Sequence, residues 1–301
     1  MFFEGEESLF TRLREKRDLL RRADMAHEKI RPLLWISSGV MRGVSGIGAA
    51  VALKEAGLSD VFDVVVGVSA GAPTVAYFLG NNPEIGATMF WEECCTSDFI
   101  NFRRLRVGTN YLSHAFQGET GKPINLAGVA RSRSRFYVVV SNHETGRPTL
   151  FNAKAPGADL FMLLEATIAM PGLAKPVAIN GSLYADGASG MLFPTPEILE
   201  RFKATDVFII ANRPKGLSMP LSESIVRELL FRMRRVPRLH RLANRDRYGV
   251  VETSLDYLQK SSIRWGVWWS DLSVRTFTTN KKRLRNQYEE SRGRLSRLLV
   301  Q

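Results

Sequence analysis

A chain of 301 residues with 45% hydrophobic and 24% charged residues can bury a sizeable core as one large domain or two small ones, with nothing arguing for a full second domain, and this ordinary globular composition argues against a disordered chain. The net charge of +12 is uneven, with 20 basic and 21 acidic residues in 1–200 against 22 basic and 9 acidic in 201–301. The excess is therefore all C-terminal, which favours an anionic partner (phospholipid head groups, nucleic acid or an acidic protein) beside the plainer reading of a solvated basic face.

The first residues, Met1-Phe2-Phe3-Glu4-Gly5-Glu6-Glu7, put acids where a signal peptide wants bases. No run reaches the roughly 18 apolar residues of a membrane span. Two cysteines occur, the adjacent Cys94 and Cys95, which excludes a disulfide framework and a zinc site of spaced thiolates and fits a reducing compartment. The expectation is a cytoplasmic protein that meets a membrane, where it does, peripherally.

Residues 1–31 carry Leu9, Phe10, Leu13 and Leu20 near helical spacing and read as a helical leader lying on the main body, ended by Pro32. Leu33-Leu34-Trp35-Ile36 is a short apolar strand, Ser37 to Arg42 a polar glycine-containing loop, and Gly43 to Ala56 a helix whose small residues predict close packing on a sheet. Gly57 ends it, and Val61 to Val66 is a second strand. Such quick succession implies parallel strands with right-handed crossovers. An insertion at about 81–134 holds Phe90, Trp91, Phe99, Phe102, Tyr111 and Phe116, which suits either a cover over a lipid-sized cavity or a packed helical subdomain.

Phe136 to Val140 is a third buried strand, with Arg147 to Phe151 paired to it, and Ala158 to Met170 is a helix stopped by Pro171. Leu183-Tyr184-Ala185 leads into the turn Asp186-Gly187, and Asp206 to Ile210 is a last core strand. Two helices follow, with stripes Ile225, Leu229, Met233, Val236 and Leu284, Tyr288, Leu295, Leu298, both expected to face the core. Trp265, Trp268 and Trp269 form an aromatic knot, expected against the sheet, with a lipid interface as the alternative. The organisation is thus a leader (1–31), an α/β core with the insertion (32–213) and a basic, mostly helical region packed on the core (214–301).

Val64-Val65-Val66-Gly67-Val68-Ser69-Ala70-Gly71 is an apolar strand running into Gly-x-Ser-x-Gly and then a helix, which makes Ser69 a candidate nucleophile. A serine needs a proton acceptor and a stabilised oxyanion. For the acceptor two candidates stand: Asp186, at a strand end before a glycine turn, and a histidine, of which His240 completes the order Ser69, Asp186, His240. His240 lies in the basic Arg238-Leu239-His240-Arg241, where a surface histidine is the simpler reading. For the oxyanion, the loop Ser38-Gly39-Val40-Met41-Arg42-Gly43 opens the first helix. That loop also suits a phosphate, but no Gly-Lys-Ser or Gly-x-Gly-x-x-Gly accompanies it.

The ordered set of this loop (Gly39 to Gly43), Gly67 to Gly71, Ala166-Thr167-Ile168-Ala169-Met170-Pro171 and Tyr184-Ala185-Asp186-Gly187 resembles the patatin-like phospholipases, especially bacterial ones, from about Pro32 to about Arg213. The resemblance implies a three-layer α/β/α fold with a mostly parallel central sheet and a Ser-Asp dyad. It further implies hydrolysis of lipid acyl esters through a Ser69 acyl-enzyme with Asp186 as base, an oxyanion hole of the Gly39 and Val40 amides, Arg42 as an anion contact, a lipid or phospholipid substrate, and no cofactor or metal. Peripheral contact with an anionic membrane falls to the basic C-terminal region, and no aromatic-basic motif calls for nucleic acid. One departure is Val40, a β-branched residue where the family carries glycine. It leaves a second reading, a lipid-binding or regulatory protein without turnover, beside the hydrolase.

Overall fold

The computed structural model describes residues 2–101, 103–217, 221–271 and 273–300, with only the backbone given for 221–223. Its elements in chain order are β1 (Phe2–Gly5), α1 (Ser8–Arg21), β2 (Pro32–Ile36), α2 (Gly43–Glu55), β3 (Val64–Val68), α3 (Gly71–Leu79) and α4 (Pro83–Glu92). Next come β4 (Ile100–Asn101), β5 (Arg106–Val107), α5 (Thr109–Gln117), α6 (Leu126–Arg131), β6 (Arg135–Asn142), β7 (Pro148–Asn152) and α7 (Leu160–Ile168). The rest are β8 (Val177–Ile179), β9 (Ser182–Asp186), α8 (Pro196–Phe202), β10 (Asp206–Ala211), α9 (Leu221–Met233), α10 (Arg238–Lys260), β11 (Arg264–Trp269) and α11 (Lys281–Val300).

The main sheet runs β1-β11-β10-β2-β3-β6-β9-β8, with β7 on the other side of β6. Its centre, β11, β10, β2, β3 and β6, is parallel, and β1, β7, β8 and β9 are antiparallel. Period-two alternation sends the two faces of each central strand to different cores. Leu34, Ile36, Val65, Phe136, Val138, Phe208 and Ile210 join one. Leu33, Trp35, Val64, Val66, Tyr137, Val207 and Ile209 join the other. Helices α1, α2, α3 and α11 cover the first face, and α8 and α10 the second, giving three layers.

The small residues of α2 serve a helix contact as well as the sheet. A Cβ on Gly48 would lie 2.6 Å from the Tyr288 carbonyl of α11, and Ser291 donates to the Ser45 carbonyl at 2.7 Å. The helix is buried along nearly its whole length.

Four expectations change. Residues 1–31 contain α1 but begin with a strand, β1, paired with β11. Asp206 to Ile210 is not the last core strand, because the tryptophan knot is itself β11, parallel to β10 and buried. The C-terminal region thus supplies a strand to the main sheet. The stripe of α9 does not face the core: Ile225, Leu229 and Met233 are 60%, 58% and 63% exposed, and only Val236, after the helix, is buried. The α11 stripe is buried at Leu284, Tyr288 and Leu295, as its spacing predicts. In the insertion, helices α4 to α6 accompany a two-stranded β4-β5 ribbon; Phe102 lies outside the described residues.

Candidate active site

Strand pairing along β6 brings the candidate residues together. Parallel β3 ends with Val68 opposite Val139, and antiparallel β9 ends with Asp186 opposite Val140. Since β7 occupies the other edge of β6, β3 and β9 run toward each other on one edge and their last residues abut.

Two glycines permit the turn after β3. A Cβ on Gly67 would lie 2.3 Å from the Ala72 Cα, and one on Gly71 would lie 2.1 Å from the Ile36 carbonyl oxygen. The helix α3 can therefore start against the end of β2. Between them Ser69 sits at φ 52°, the left-handed region that a nucleophile elbow imposes. At the other strand end, a Cβ on Gly187 would lie 2.2 Å from the Val139 carbonyl oxygen.

The Ser69 hydroxyl donates to Asp186 Oδ2 at 2.8 Å, and Asp186 Oδ1 accepts the Ala188 N–H at 2.8 Å. Both side chains are buried, at 3% and 4% exposure. Burial pushes the Asp186 carboxyl up to about 6, against the opposing pull of the Ala188 amide, the Ser69 hydroxyl and the Arg247 charge. A carboxylate so placed holds a proton far more readily than an ordinary aspartate and can accept one from a serine in the same hydrogen bond.

The loop after β2 borders this site. Gly39 and Ser37 pack on Asn212, which follows β10: the Asn212 side-chain amide donates to the Ser37 carbonyl at 2.7 Å, and a Cβ on Gly39 would lie 2.5 Å from the Asn212 Cβ. Val40 adopts φ 50°, the left-handed region, where a β-branched side chain is an outlier. The Met41 N–H donates to the Thr276 carbonyl at 3.1 Å and the Arg42 N–H to the Gly39 carbonyl at 3.0 Å, so these two amides are committed to the fold. Arg42 is half-buried, and its charge acts on Arg213.

On the side of the insertion, Ser69 and Val40 line an apolar cavity of about 50 Å³ with Met41, Met89, Phe116 and Met170 among its walls. The insertion is therefore packed helices and cavity wall at once. Unbranched methionines change rotamer at low cost, which lets such a narrow cavity widen around a flexible chain.

No histidine hydrogen-bonds Ser69 or Asp186 among the described residues. His240 is fully buried, not on the surface, and its Nδ1 pairs with the His143 carbonyl at 2.9 Å. His27 and His114 bond locally to Asp24 and Glu119. Among the described residues no group of metal-ligating side chains occurs.

Two positioning residues escape sequence reasoning. Thr167 accepts the Ser69 N–H at 2.9 Å and donates to the Val139 carbonyl at 2.5 Å. Its only signal was its place in the motif ending at Pro171. Asn212 carried none beyond following a core strand.

The sequence model of the family described as "Patatin-like phospholipase" matches residues 34–199, more than half of the chain. The chain belongs to that family. Its members are lipid acyl hydrolases in general character, and the matched segment contains the loop at Gly39, Ser69, Thr167 and Asp186. Among solved structures, VipD from Legionella pneumophila aligns with a TM-score of 0.46 at 13% identity, over 90% of this chain and 67% of that one. The type III effector ExoU, from Pseudomonas aeruginosa, aligns with a TM-score of 0.42 at 14% identity, over 90% of this chain and 54% of that one. The chain thus spans about half the length of ExoU.

Proposed function

We propose that this patatin-like protein is a serine acyl hydrolase of the phospholipase A or esterase type, with Ser69 as nucleophile and Asp186 as general base. The observation that carries the reading is the 2.8 Å hydrogen bond between two buried side chains, with no histidine bonded to either among the described residues. Asp186 takes the hydroxyl proton as Ser69 Oγ attacks the ester carbonyl. The amides of Gly39 and Val40, which are not those committed to Thr276 and Gly39, receive the oxyanion together with the amino end of α3. Asp186 then passes its proton to the leaving alcohol, and in the second half it deprotonates the water that releases the acyl chain from Ser69. The apolar cavity takes the acyl chain.

Contact with an anionic bilayer falls to α9. Its exposed Ile225, Val226, Leu229 and Met233 lie in a helix followed by Arg234, Arg235 and Arg238, the combination that seats a helix in a lipid interface. Among the described residues, no helix is long and apolar enough to cross a membrane.

Labelling with a fluorophosphonate tests the hydrolase reading: the wild type is expected to label and Ser69→Ala not to. Absence of labelling in a folded wild type, or equal labelling of both, overturns it. A second reading, lipid binding without turnover, rests on the left-handed φ of Val40 in the oxyanion loop. It predicts that only Val40→Gly labels.

A further inference from the structure

Three arginines outside the family-matched segment converge on one tyrosine, Tyr248, and the charge of one of them, Arg247, acts on Asp186. The Arg213 and Arg247 guanidinium carbons lie 4.7 and 5.0 Å from the centre of the Tyr248 ring, and Arg247 donates to the Tyr248 hydroxyl at 3.2 Å. Arg227, from α9, has Arg247 and Tyr248 as its electrostatic neighbours. Arg213 is 7% exposed; its Nη2 donates to the Leu217 carbonyl, while Nε and Nη1 are buried without a partner among the described residues. Arg227 Nη1 and Arg247 Nε are likewise buried and, among the described residues, unpartnered. Burial and the neighbouring cations hold the Arg213 and Arg227 guanidinium groups below their usual range.

Carboxylates act on this charge from a distance, but among the described residues none is hydrogen-bonded to Arg213, Arg227 or Arg247. Glu252 acts on Arg213, Asp186 on Arg247 and Glu228 on Arg227. Glu228, however, is bonded to Arg232 at 2.9 Å and to Arg241, and Asp186 is engaged with Ser69 and Ala188. Buried guanidinium groups with unmet donors are costly, and a tetrahedral oxyanion satisfies several at once because their planar forks match its oxygens.

The position gives the anion its identity. Arg213 directly follows Asn212, the residue packed on Gly39, and Arg247 acts on Asp186. The apolar cavity lies at the insertion side of Ser69. An ester carbonyl at Ser69 thus has an apolar cavity for its acyl chain, and a cationic cluster whose charge reaches the neighbouring Asp186. Arg227 also lines a cavity of about 290 Å³ between α9 and α10, walled by Arg232, Arg238, Arg241 and Arg245, which leaves space beyond a phosphate for a polar head group.

We propose that Arg213, Arg227 and Arg247, gathered around Tyr248, bind the phosphate of a phospholipid whose acyl ester lies at Ser69. The proposal rests on the hydrolase reading for the placement of the ester, but its test does not require turnover. Ser69→Ala protein is titrated with dissolved dihexanoyl phosphatidylglycerol, with neutral dihexanoylglycerol and with inorganic phosphate. The phospholipid is expected to bind at least about tenfold more tightly than the neutral lipid, phosphate to displace it, and Arg213→Gln with Arg227→Gln to erase the difference. Equal affinity for the two lipids overturns the proposal, as does a difference that survives the substitutions. Phosphate that binds without displacing the phospholipid also overturns it, since the cluster would then serve a free phosphate ligand. If the glutamine variants do not fold, Arg213→Lys and Arg227→Lys keep the charge and lose the fork, and are expected to weaken phospholipid binding several-fold; unchanged binding counts against the proposal. A wild type that does not label with fluorophosphonate yet passes these titrations loses the hydrolase reading and keeps the site.

Discussion

Thr167 holds Ser69 by its backbone amide, accepting that N–H at 2.9 Å while donating its own proton to the Val139 carbonyl on β6. The elbow that carries the nucleophile is thereby tied to the strand against which Asp186 is also registered. Thr167→Val keeps the shape and removes both hydrogen bonds, leaving a buried N–H and a buried carbonyl unmet. The expected cost is about 1–3 kcal/mol in denaturant unfolding, with a fall in kcat that exceeds any rise in KM. Thr167→Ser restores both; a Val variant with wild-type kcat would limit Thr167 to packing.

Asp186 sets the acid limb of the pH profile. Its carboxyl is pushed up to about 6, so kcat/KM is expected to rise through a midpoint near 6 and level off above it, whereas an ordinary aspartate would give a limb near 4. Arg247 lowers this value, so Arg247→Gln moves the midpoint upward. Stability runs the opposite way: a carboxyl whose folded value is raised stabilises most below its ordinary range, and that contribution is lost as pH rises through about 6. Asp186→Asn therefore loses about 10²–10⁴ in kcat and at pH 8 unfolds no more easily than the wild type.

Val40 carries strain that glycine would release. A left-handed β-branched residue costs roughly 1–2 kcal/mol, and glycine returns about 0.5–1 kcal/mol of that through the entropy of the unfolded chain. Val40→Gly is expected to raise the unfolding free energy by up to about 1 kcal/mol and to raise kcat. A fall in both would mean that the valine side chain, as cavity wall, matters more than its backbone.

The exposed face of α9 predicts where bilayer affinity resides. Ile225→Ser with Leu229→Ser is expected to weaken sedimentation with phosphatidylglycerol vesicles about tenfold or more, given the transfer free energy of two such side chains, and to leave hydrolysis of a dissolved ester within twofold. Unaltered vesicle binding would move the contact elsewhere.

The legible parts of the molecule were those whose constraint is local. Ser69 and Asp186 each sit beside a glycine that a Cβ would exclude, so strand, turn and helix are written in adjacent residues. β11 was hidden because Gly266 interrupts Arg264-Trp-Gly-Val-Trp-Trp; in the fold that gap receives the Phe3 ring, whose carbon would lie 2.5 Å from a Cβ there. The α9 stripe has helical spacing, but spacing does not say which side of a helix meets the core. His240 read as surface for the same reason: Arg238 and Leu239 before it are exposed while its own side chain points inward. Asn212 and the arginines around Tyr248 come from segments remote from the motifs; the pairing of β10 with β2 brings Asn212 behind the Gly39 loop, and helices α9 and α10 bring Arg227 and Arg247 to Tyr248.

Strand order also limits what can be cut away. The family segment ends at residue 199, before β10, yet β10 is the neighbour of β2, and β2 delivers Ser38, Gly39 and Val40. A fragment trimmed to that segment would present β2 as a bare, wholly apolar edge, the kind of strand that recruits other chains, and would lose Asn212 from behind the loop. The smallest expressible unit of this protein is therefore set by its sheet, and it is longer than its family signature.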